Sequence, residues 1–111
     1  MAEEFLGLGI IVFTALIMIV IGISQIKSKN PVAFYTGEKP PQKEDLSDVS
    51  LWNKKHGMMW ILYGVTMIGS YILSMVFPDE FIVFVIILIA ILGGIVVMVF
   101  YHHYLMIKYL K

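Results

Sequence analysis

Three stretches of this chain run for more than twenty positions each without a charged residue: 5 to 26, 57 to 77 and 81 to 101. At about 1.5 Å of rise per residue, each is long enough to cross a hydrocarbon layer about 30 Å thick. Lipid offers no partner to a backbone amide or carbonyl, so a segment immersed in it must close its hydrogen bonds internally. The runs therefore predict helices despite their many valines and isoleucines, whose branched side chains otherwise favour strands. The expected fold is all-α: an integral membrane protein with three transmembrane helices, a single membrane domain over residues 1 to 111. A mean hydropathy of +0.88, with 59% of residues apolar, makes lipid the main solvent and the bilayer the first partner.

The connections differ in length. Pro78-Asp79-Glu80 leaves room only for a tight reversal, so the second and third spans form an antiparallel hairpin. Residues 27 to 56 form a 30-residue loop holding three of the four prolines. Asn30-Pro31 and Pro40-Pro41 exclude helix interiors, so residues 30 to 43 are expected to be extended or turned. Ser47 is placed as an N-cap, with Asp48 in the first turn and Leu46 and Leu51 as a hydrophobic staple. From there Val49, Trp52, His56, Met59, Trp60 and Tyr63 recur at spacings of three and four. This predicts a short interfacial helix leading into the second span.

Orientation follows from lysine, which short cytoplasmic loops retain. Lys27, Lys29, Lys39, Lys43, Lys54 and Lys55 lie in the loop, and Lys108 and Lys111 in the tail of residues 102 to 111. The opposite side carries Glu3, Glu4, Asp79 and Glu80. The expected topology is multi-pass in the plasma membrane, with the N-terminus outside and the loop and C-terminus cytoplasmic. The opening MAEEF lacks the basic start of a signal peptide, so the first span is expected to be retained. A net charge of zero gives no basic excess for nucleic acid, and the absence of cysteine removes disulfides and thiolate chemistry.

The densest cluster of chemically capable side chains is WNKKHGMMW, residues 52 to 60. Trp52, Trp60, Lys54 and Lys55 are residue types that anchor a helix at headgroup depth, and this is the reading favoured for them. The two lysines add only about 2 kcal/mol of attraction to anionic lipid. His56 opens the second span and His102-His103 follow the third, so the hairpin brings them to one depth. Neighbouring helical residues point about 100° apart, so at most one of the pair can face His56. Such imidazoles suit a metal, a proton relay or a pH sensor, although histidine at an interface more often has no ligand. No cofactor is expected; were a metal held, His56, His102 and His103 are the residues placed to ligate it.

No charge lies within a span, which argues against proton-coupled transport. The polar residues there, Thr14, Ser24, Gln25, Tyr63, Thr66, Ser70, Tyr71 and Ser74, are expected to bridge helices. Ala90 and Gly94 form a small-xxx-small pair, suited to packing within the chain or in a homo-oligomer. No GxSxG, HExxH, P-loop or GxGxxG pattern occurs, and the acid pairs lie opposite the histidines, so a non-enzymatic role is expected.

Asn30-Pro31, then Tyr35-Thr36-Gly37, then Trp52 with His56 and Gly57, is similar to the loop of the SdpI-like bacterial membrane proteins and of related small three-span proteins, over about residues 20 to 70. The resemblance implies an immunity- or regulation-like membrane protein that binds a peptide, lipid or protein partner. Its partner-binding residues would be Asn30, Tyr35, Thr36, Trp52, His56 and Trp60, the first five lining one cytoplasmic pocket. Two other readings stay open: an oligomeric channel or transporter lined by Tyr63, Thr66, Ser70 and Ser74, and a histidine-ligated metal or cofactor protein.

Overall fold

The computed structural model describes residues 2 to 34 and 38 to 111. Among these, the chain forms three α-helices, α1 (Ala2–Lys27), α2 (Val49–Ser74) and α3 (Glu80–Tyr109), with a short 3-10 turn at Lys43–Asp45. All three are long and apolar enough to cross a membrane. Each extends beyond its uncharged run at one end or both, so the tail after residue 101 continues α3 as helix rather than ending it.

The helix ends correct the expected boundaries. Asp48, not Ser47, caps α2, its carboxylate accepting from Leu51 N at 3.0 Å. Ser47 is engaged elsewhere, its backbone N–H donating to Tyr109 O at 2.8 Å. The acid also suits the positive end of the helix dipole. Leu46 and Leu51 form no staple: Leu46 is buried against Trp52, Leu105 and Tyr109, while Leu51 is exposed. α2 stops at Ser74, before its apolar run ends, and Val76 and Phe77 continue as turns bonded to Leu73 O and Ser74 O. Pro78 then blocks further helix, and Asp79 caps α3 through Phe81 N and Ile82 N.

α2 is the central helix, packing against both α1 and α3. At the α1–α2 crossing Gly22 and Gly57 face each other, and a Cβ on either would run into the other's carbonyl oxygen. Farther along, a Cβ on Gly64 would come within 2.8 Å of Ala15 O. Glycine here permits backbone-to-backbone packing, the usual way helices associate where lipid removes the hydrophobic drive. Between α2 and α3, Tyr63 Oη donates to Ile91 O at 2.9 Å, with its ring against Gly94. Ala15, Met59, Met67 and Met98 fill the core around it. Thr14, Ser70 and Ser74 instead bond carbonyls of their own helices, Ile10 O, Met67 O and Tyr71 O, so these three do not bridge as expected.

At the loop end a second cluster forms from Leu46, Trp52, Leu105 and Tyr109, with Val32 and Val49 packed on it. Lys111 N donates to Asp45 O at 2.8 Å, which with the Ser47–Tyr109 bond makes a short antiparallel bridge between loop and C-terminus. The loop is thus folded onto the ends of α2 and α3.

Candidate functional site: a polar relay beneath the loop

Residues 28 to 34 have no regular secondary structure, and Pro31 brings no backbone donor. Their backbone groups need partners, and α2 supplies them. Trp52, only 1% exposed, donates its indole Nε1–H to Val32 O at 2.9 Å. Asn53, equally buried, donates through Nδ2 to Ser28 O and Asn30 O and accepts through Oδ1 from Val32 N. From α1, Gln25 Nε2 reaches Ala33 O at 3.1 Å. Trp52 is therefore not the headgroup anchor expected of it: its ring and its N–H are both sealed under the loop. Trp60 is half-buried against Phe34, its ring centre 5.8 Å away, and its buried Nε1 has no hydrogen-bond partner among the described residues.

One turn along α2 from Trp52 begins a chain of polar contacts that crosses to α3 and returns to the loop. His56 Nδ1 lies 2.8 Å from Trp52 O, and His56 Nε2 lies 2.8 Å from His102 Nδ1. His102 Nε2 lies 3.2 Å from Glu38 Oε2, and Glu38 Oε1 accepts from Phe34 N at 3.0 Å. His56 is fully buried, His102 nearly so, and the Glu38 side chain is 27% exposed, which makes Glu38 the wet end of the chain. The rings are covered as well: Trp52 packs on His56 at 4.2 Å between centres and Phe34 on His102 at 4.8 Å.

Partner types constrain the hydrogens. Trp52 O can only accept, so a hydrogen bond to it requires a hydrogen on His56 Nδ1. Full burial favours the neutral form of His56, whose Nε2 then accepts from His102 Nδ1. His102 in turn reaches Glu38, whose other oxygen holds Phe34 N. The arrangement ties the loop to the two buried rings through Glu38.

His103 points away and is exposed, as the divergence of adjacent helical residues requires. Among the described residues no group of three or more His, Cys, Asp or Glu side chains could hold a metal ion. The 2.8 Å between His56 and His102 is a hydrogen-bond distance, shorter than the roughly 3.3 Å between two nitrogens sharing a tetrahedral zinc at about 2.0–2.1 Å.

Of the residues singled out in the sequence, Trp52 and His56 meet in this site, and Asn30 contributes its carbonyl. Tyr35 and Thr36 lie outside the described residues. Glu38, Asn53 and Phe34 went unrecognised as site residues, and Gln25, expected to bridge helices, holds a loop carbonyl instead. Glu38 carried a signal, as the only acid between positions 28 and 43; Asn53 carried one in sitting beside Trp52 on the buried stripe of α2. Compared with protein-family models, with curated proteins and with solved structures, the chain matches none.

Proposed function

We propose that this is a small, non-enzymatic, multi-pass protein of the bacterial plasma membrane that binds a peptide, lipid or protein partner through its cytoplasmic loop. In this reading the N-terminus is outside, and the relay is a clasp that sets how the loop is presented. One observation carries it: the buried polar side chains Trp52, Asn53, His56 and His102 are directed at the loop and at one another. Trp52 and His56 then act as positioning residues, and recognition falls to the exposed loop surface around Lys39. The likeness to SdpI-like proteins fits such an immunity- or regulation-like role.

The test is a photo-crosslinker at exposed Lys39 in intact cells, with a second at exposed Phe5 on the other end as control. Discrete adducts from position 39, absent from position 5 and lost in His102→Ala while the protein stays in the membrane, are the expected result. Adducts unchanged by His102→Ala, or none at all, would contradict the assignment.

A further inference from the structure

A crevice of about 570 Å³ opens between α2 and α3, within the size range of small-molecule sites. Met58, Leu62 and Thr66 line it from α2, and Gly93, Val97 and Tyr101 from α3. Its walls are almost wholly apolar, and its one charged lining residue, Lys55, stands at the loop end. The lining positions of α3, Ala90, Gly94, Val97 and Tyr101, recur at spacings of three and four. The same stripe continues to Tyr104 and Lys108, whose ammonium lies 5.8 Å from the Tyr104 ring centre. The crevice is thus greasy along its length and cationic at one end.

Its length is also informative. From Lys55 to Thr66 a helix rises about 16 Å, roughly half of a hydrocarbon layer about 30 Å thick. That is the depth of one leaflet. The floor is closed where Tyr63 crosses to Ile91 O and Gly94, so the space is a slot between touching helices. Gly93 opens on it, and a Cβ there would meet nothing within 4 Å.

We propose that this slot holds one acyl chain of an anionic phospholipid, with its phosphate at Lys55. The proposal rests on the membrane-spanning reading above. Acyl chains gain nothing from apolar walls that bulk lipid does not offer, so selectivity comes from the slot's shape and the lysine charge. A helix from a second copy fits less well. Near the loop end α1 carries Lys27 and α3 carries Lys108, so such a helix would set like charges beside Lys55 instead of an anion.

The experiment reconstitutes the full chain in vesicles of equimolar phosphatidylglycerol and phosphatidylcholine with matched acyl chains. Extraction with alkaline carbonate comes first, then native mass spectrometry of the detergent-released protein. The expected result is a carbonate-resistant chain retaining one phosphatidylglycerol. Lys55→Gln should reduce the preference for phosphatidylglycerol about fivefold, and Gly93→Leu should abolish retention of either lipid by filling the slot. Lipid retained by Gly93→Leu, an unchanged preference in Lys55→Gln, or a lipid-free dimer that Gly93→Leu converts to monomer would overturn the proposal. An embedded chain that binds no lipid overturns it alone; a chain released by carbonate overturns the spanning reading with it.

Discussion

Glu38 closes the polar chain under the loop, because its two oxygens join His102 Nε2 to Phe34 N. Glu38→Gln can keep both contacts: the amide oxygen accepts from Phe34 N while the amide NH₂ donates to His102 Nε2. Glu38→Ala removes both. The hydrogen-exchange protection factor of the Phe34 amide is expected to fall in Glu38→Ala and to be largely kept in Glu38→Gln. Full protection in Glu38→Ala would refute the contact. At this scale the sequence was legible only in part. His56 with one of His102 and His103 followed from helix depth and the 100° step, but the fourth participant did not. Glu38 is 64 positions from His102 in the chain, and no local pattern reports a contact of that span. Trp52 misled for a related reason: tryptophan beside lysine suits a headgroup belt as well as a buried loop anchor, and only the loop's path separates the two.

The helices were the most legible elements, since twenty uncharged apolar residues in lipid have no other hydrogen-bonded option. Their ends were less so. Ser47 and Asp48 are both good caps, and the choice between them was made by Tyr109, whose carbonyl takes the Ser47 amide. Packing was less visible: the small pair singled out was Ala90 and Gly94, and Gly57 was read only as part of a motif beside His56. The crossing of Gly22 and Gly57 gives it a different role, because any side chain there must push α1 from α2. Gly57→Leu is expected to destabilise the α1–α2 pair by about 1–3 kcal/mol or more, measured as the loss of a disulfide engineered across that interface. Undiminished crosslinking would show that the helices do not meet at the glycines.

Taken whole, the molecule couples an apolar set of three helices to a polar cap at one end. The cap joins the loop to α2 through Trp52 and Asn53, to α3 through Glu38 and His102, and to the C-terminus through the Leu46–Leu110 bridge. Composition foretold the apolar part and the loop's prolines foretold non-helical backbone at residues 30 to 34, but the cap is made of contacts between distant segments, each too short to leave a periodic signal. Its core is the two-histidine hydrogen bond, and that is the feature to measure. In the full chain labelled with ¹⁵N-histidine and held in lipid bicelles, the ring nitrogens report protonation and tautomer directly. Expected are a neutral His56 protonated at Nδ1, its Nε2 accepting from His102 Nδ1, and ring N–H groups in slow exchange with water. Two imidazoles both protonated at Nε2 and exchanging freely would contradict this arrangement.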